Sequence, residues 1–180
     1  MFALTEIVKD KLFALKEGGG LDAFHQCFDN WGDVQYVFNF FKSRPDALAY
    51  YGVDMGTAVR LILSESEQFF DDILNIAEGN RDAQSLDNII FQPLHEGDDF
   101  DLPIIETKAY GKDHGRSFLR LYAIRLKDGA YIIAGGLIKT TKALQDSEEG
   151  KNMLAKLKEI ARTLRKNQWS DAFDIGVLIV

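Results

Sequence analysis

Apolar residues recur at intervals of three and four through Phe24, Cys27, Phe28, Trp31, Val34, Phe38 and Phe41. That spacing predicts a helix over residues 21–42 with one broad apolar face. Gly32 falls inside it, where glycine costs about 1 kcal/mol against alanine, so a kink or break is expected near residues 30–33. The same period returns in Ala58, Leu61, Ile62, Phe69, Ile73, Ile76 and Ala77, which predicts a second long helix over residues 57–78. Glu65, Glu67, Asp71, Asp72 and Glu78 crowd its other side with the spacing of a solvated face rather than of an acid–base pair. A third stripe, Met153, Leu154, Leu157, Ile160, Ala161 and Leu164, runs among lysines and arginines within residues 143–169.

Elsewhere the period falls to two or the apolar run is unbroken. Residues 118–126 are rich in aromatic and branched side chains, and residues 130–138 are almost wholly apolar. Asp128-Gly129 between them suits a tight hairpin turn. An apolar return strand of that kind is covered on both faces or lies centrally in a sheet. Residues 103–110 read as a further strand. Two short apolar runs in residues 2–16 suit a hairpin, with a single amphipathic helix as the alternative. The tail at residues 175–180 is apolar, an added edge strand or a partner contact. The expected class is α+β: an N-terminal hairpin and two long helices, then a three- to four-stranded antiparallel sheet and a C-terminal helix. Residues 1–180 are read as one domain.

Charge divides that domain. The net charge is −7, yet residues 1–100 hold seven Lys or Arg against eighteen Asp or Glu, and residues 101–180 hold fourteen against ten. The acidic, mainly helical part therefore precedes a basic sheet and helix (residues 101–170). The basic part meets a polyanion, or the two parts attract each other, or the acidic helices serve solubility. One cysteine, Cys27, rules out an internal disulfide and fits a reducing compartment. No stretch has the length of a membrane span and no secretory signal is visible, so a cytoplasmic protein without membrane contact is expected. His25, His95, His114 and Cys27 lack close ligand spacing, and the Glu96 to Asp99 tract lacks that of an EF-hand loop. No metal or other cofactor is expected.

Alternation along residues 118–126 puts Phe118, Arg120, Tyr122, Ile124 and Leu126 on one side and Leu119, Leu121, Ala123 and Arg125 on the other. Lys139 and Lys142 leave at the far end of the partner strand. Arg120 beside Tyr122 suits a phosphate and a stacked base, and equally an ordinary surface pair.

Three short motifs, Lys108-Ala109-Tyr110, Leu119-Arg120-Leu121-Tyr122 and Gly136 through Lys142, follow one another in the order helix, helix, strand, strand, strand, helix. In this the chain resembles the RelE/HigB family of bacterial toxins over about residues 103–165. The resemblance implies metal-independent cleavage of messenger RNA on the ribosome and an antitoxin protein as partner. It implies Arg120 as phosphate stabiliser, with Tyr122, Lys139 and His114 completing the catalytic set. Lys108, Arg116 and Lys142 would bind substrate. His114 lies between Lys112 and Arg116, whose charges would lower its pKa toward that of a base. The first hundred residues are longer and more acidic than in typical members. The alternative is a non-catalytic protein-interaction module that keeps the fold, and a homo-oligomer stays open under either.

Overall fold

Residues 1–82, 84–112 and 117–180 are described in a computed structural model. The two apolar runs at the start pair as antiparallel strands β1 (Ala3–Val8) and β2 (Leu12–Lys16). They do not stand apart from the later strands. Leu12, Phe13 and Ala14 pair parallel with Tyr131, Ile132 and Ile133 of β6 (Tyr131–Ile138). β6 also pairs antiparallel with β5 (Leu119–Leu126), which pairs with β4 (Ile104–Tyr110), which pairs with β3 (Phe91–Pro93). The result is one six-stranded mixed sheet in the order β1-β2-β6-β5-β4-β3. The expected three to four antiparallel strands are corrected to six because the N-terminal hairpin joins the sheet and a short edge strand closes its far side. That edge strand is only three residues long and ends in Pro93, a residue that sheets accept at their edges.

Helices cover both faces. One face carries α1 (Ala23–Trp31), α2 (Val34–Ser43), α3 (Pro45–Tyr51) and α4 (Met55–Ala77), whose Phe24, Phe41, Ile62 and Phe69 pack with Leu119, Leu121 and Ala123 of β5. A short turn, α5 (Leu86–Ile89), adds Leu86 to that core. The other face is covered by α6 (Glu148–Lys166), whose Leu157, Ile160 and Leu164 pack with Tyr122, Ile124 and Ile132. β6, covered on both faces, is apolar for that reason.

The first expected long helix is two helices. Gly32 ends α1, and the Asp33 carboxylate then caps α2 by accepting from the backbone N–H groups of Gln35 (2.8 Å) and Tyr36 (3.2 Å). The restart changes the phase. Val37 and Phe41 become the buried residues of α2, while Val34 and Phe38 are left 58% and 41% exposed. On α4, Glu65 departs from the solvated face expected of it and is buried. Asp72 pairs with Arg81 at 2.6 Å. The apolar tail forms a 3₁₀ turn, Asp174–Leu178, and touches β1 through Val180 N–H to Leu4 O at 2.9 Å. No helix among the described residues is long and apolar enough to cross a membrane.

Candidate functional site

Alternation along β4 puts Glu106, Lys108 and Tyr110 on the α6 side of the sheet, and alternation along β5 puts Arg120 and Tyr122 there too. Register brings them together: Lys108 lies opposite Tyr122, Tyr110 opposite Arg120, and Arg120 opposite Leu137 of β6. The Arg120 guanidinium lies 4.0 Å from the centre of the Tyr110 ring, and Lys108 Nζ lies 5.7 Å from the same ring. Lys139 follows at the exit of β6, and its ammonium is pushed below the ordinary lysine value by burial and by the charges of Arg120 and Lys108. Two cations therefore flank one tyrosine, and Lys139 lies within reach of their charges.

This gathering is held from the opposite face of the sheet. The Glu65 side chain, 2% exposed, accepts the hydroxyl of Ser117 and the backbone N–H groups of Phe118 (3.0 Å) and Leu119 (3.1 Å). It thereby fixes the start of β5 one residue before Arg120. The Ser117 hydroxyl also accepts the Gly111 N–H at 3.1 Å. Gly111 has to be glycine, since a Cβ there would lie 2.2 Å from a Glu65 carboxylate oxygen. On the neighbouring strand the Tyr51 hydroxyl donates to the Lys139 carbonyl. The acidic helices thus anchor the ends of β5 and β6 from one face and leave the cationic face uncovered by them.

Among the described residues Arg120 is spent on no acid. It donates to the carbonyls of Ser117 (3.0 Å) and Leu119 (2.9 Å), and no carboxylate lies within ion-pair distance among the described residues. Lys108 and Lys139 likewise have no ion pair among the described residues. Tyr122 is 1% exposed, and burial pushes its phenol well above the ordinary value. It is a core residue beneath the cluster, and the half-buried ring beside the cations is Tyr110. Lys142 is exposed, and among the described residues no hydrogen bond or ion pair joins it to the others. His114 and Arg116 lie outside the described residues.

A second pair stands on the same face and went unread in the sequence: His95 Nε2 meets the Glu106 carboxylate. Period two along β4 would have aligned Glu106 with Lys108 and Tyr110. What hid the pair is its partner, which comes from the loop after β3. Away from these groups, a cleft of about 590 Å³ opens beside β6 where β2 stops pairing, lined by Cys27, Trp31, Tyr36, Phe40 and Met153 among others. Its rim charges are paired, Arg44 with Glu149 (2.5 Å) and Lys156 with Glu17 (3.2 Å). Burial pushes the Cys27 thiol up to about 12, away from the reactive thiolate. Among the described residues no cluster of His, Cys, Asp and Glu is arranged to hold a metal ion.

Compared with known proteins, the chain matches no family model, no curated protein and no solved structure.

Proposed function

We propose that this chain is a toxin of the toxin–antitoxin kind, related to RelE/HigB, that cleaves messenger RNA on the ribosome in the cytoplasm and is restrained by an antitoxin. The observation that carries this reading is Arg120: it stacks on Tyr110, neighbours Lys108 and Lys139, and has no carboxylate partner among the described residues. Cations left unpaired at the surface suit a phosphate, and a ring beside them suits a base. In the reaction a ribose 2′-oxygen attacks the adjacent phosphorus and the bond to the 5′-oxygen breaks. Arg120 and Lys108 stabilise the charge that builds on the phosphoryl oxygens. Lys139, less basic than an ordinary lysine, hands a proton to the leaving 5′-oxygen. The net negative charge is no obstacle to this, because acids outnumber bases only within residues 1–100, whose helices α1–α4 pack against the other face.

Wild type and Arg120→Ala expressed side by side test the proposal. Growth arrest with cut transcripts is expected from the wild type, and a loss of cutting of about 10²–10³-fold from the variant. Equal growth and intact transcripts in both would overturn it.

A second reading, a non-catalytic interaction module, draws on the exposed apolar residues Val34, Phe38, Phe173 and Val177. It requires a stable oligomer or a co-purifying protein, and a purified chain that is monomeric and captures nothing would end it.

A further inference from the structure

The cleft beside β6 is a gap in the sheet itself. Pairing between β2 and β6 ends at Ile133, whereas β6 runs on to Ile138 with β5 alone beside it among the described residues. The Lys139 N–H bonds to the Phe118 carbonyl at 2.7 Å. Bonded and non-bonded pairs alternate along an antiparallel ladder, so in the same register Leu137 bonds to Arg120. Gly136 and Ile138 then turn their N–H and C=O groups away from β5, toward the cleft that both residues line. The Gly136 N–H meets the Cys27 sulfur there. The N–H and C=O of Ile138 have no partner among the described residues, although Ile138 is only 5% exposed. Buried main-chain groups need one, and a bound molecule can supply it.

The walls of the gap suit a flat ring. Gly135 and Gly136, as strand neighbours, face opposite sides of the sheet. A Cβ at Gly136 would lie 2.6 Å from Trp31 Cη2, and one at Gly135 would lie 2.9 Å from Met153 Cε. The two glycines therefore let an indole close over one face of the gap and a thioether over the other. A ring lying in the plane of the sheet would turn its edge to β6 and its two faces to Trp31 and Met153. The N–H and C=O of Ile138 match a ring edge that carries an acceptor beside a donor. The volume, about 590 Å³, is that of a small-molecule site. At the rim Arg44 is paired with Glu149 and Lys156 with Glu17, so among the described residues the lining offers a phosphate no free cation. We propose that this gap binds a neutral nucleoside whose planar base presents a cyclic amide edge to β6. Lys108, Arg120 and Lys139 do not line the gap, and the proposal does not depend on the RNA-cleaving reading above.

Calorimetric titration of the purified chain with inosine tests this. Inosine carries an N–H beside a carbonyl on its ring edge. 1-Methylinosine has lost that N–H, and inosine 5′-monophosphate adds a phosphate. Saturable binding of inosine is expected with a Kd of about 100 μM, ordinary for a ligand of this size. 1-Methylinosine should bind about tenfold more weakly, since it leaves a main-chain carbonyl unpaired. The monophosphate should bind no more tightly than inosine. Asn152→Trp brings an indole to the rim of the gap from an exposed position on α6. It should abolish binding while melting within a few degrees of wild type, and Arg120→Ala should bind as wild type does. Absence of saturation at about 2 mM inosine would overturn the proposal. Equal affinity for 1-methylinosine would overturn it too, as would undiminished binding by a folded Asn152→Trp protein. A monophosphate bound about tenfold more tightly than inosine, and lost in Arg120→Ala, would move the ligand to the cationic cluster and likewise overturn it.

Discussion

Arg120 and Arg125 stand five residues apart on β5 and therefore on opposite faces of the sheet. Arg125, with a side chain 9% exposed, donates from Nε and Nη2 to the two carboxylate oxygens of Asp87, both at 2.8 Å, and from Nη1 to the Phe100 carbonyl. Tyr131 donates to the same carboxylate at 2.6 Å. Among the described residues Arg120 finds only backbone carbonyls and a tyrosine ring. The same residue type thus has two fates on one strand. Where the side chain is buried, as at Arg125, desolvation forces an arginine into a complete ion pair; where it is only partly buried, as at Arg120, water covers the cost.

The contrast makes its largest demand at Asp87. Burial alone would raise this carboxyl, but Arg125 and Tyr131 outweigh it and hold it below the ordinary carboxylate value. Asp87→Ala leaves a buried guanidinium uncompensated and is expected to cost about 3 kcal/mol. In a chain of this size that is a fall of about 6–12 °C in Tm, measured by calorimetry. A group with a depressed folded pKa stabilises above its unfolded value, about 3.9, and loses that contribution as pH falls through the folded value. Wild-type stability should therefore decline below about pH 4, and the Asp87→Ala protein should decline less. Arg120→Ala should leave the melt almost unchanged. If the two alanine variants melt alike, the distinction between the faces fails.

Glu65 comes next, since from α4 it holds the start of the strand that carries Arg120 on its other face. Glu65→Ala strips the buried Ser117 hydroxyl and two backbone N–H groups of their acceptor, which is expected to cost about 2 kcal/mol. Denaturant unfolding measures that loss. RNA affinity should fall as well, because the start of β5 is no longer held. The smallest effect belongs to Lys108, whose ammonium has no ion pair among the described residues. Lys108→Ala should not move stability, and should reduce the slope of log affinity against log salt for single-stranded RNA by about 0.7. An unchanged slope would remove Lys108 from the phosphate contacts.

Periodicity carried much of the fold. The stripes at residues 57–78 and 143–169 read directly as helices because a surface helix shows its core face every three to four residues. Asp128-Gly129 read directly as a turn, and Gly129 has a φ of 85°. Val34 and Phe38 were misplaced because a broken helix preserves the spacing of its residues while changing the direction they point. Phe91–Pro93 was missed because three residues hold too little alternation to read. At the candidate site, Lys108, Arg120 and Lys139 were legible as cations on a strand and its exit, and Tyr110 lay unassigned within a quoted motif. Tyr122 was read as exposed beside Arg120, since alternation names a shared side and says nothing of depth.

Local chemistry in the chain settled the longer helices and strands, and that the basic groups fall mostly after residue 100. These follow from side-chain period, turn residues and charge, all properties of near neighbours. Long-range packing settled the rest: that the first hairpin would run alongside β6, that Glu65 would reach through the core to Ser117, and that His95 would meet Glu106. It also settled which arginine of β5 lost its water. Those outcomes depend on which distant surfaces meet, and desolvation acts only once they have met.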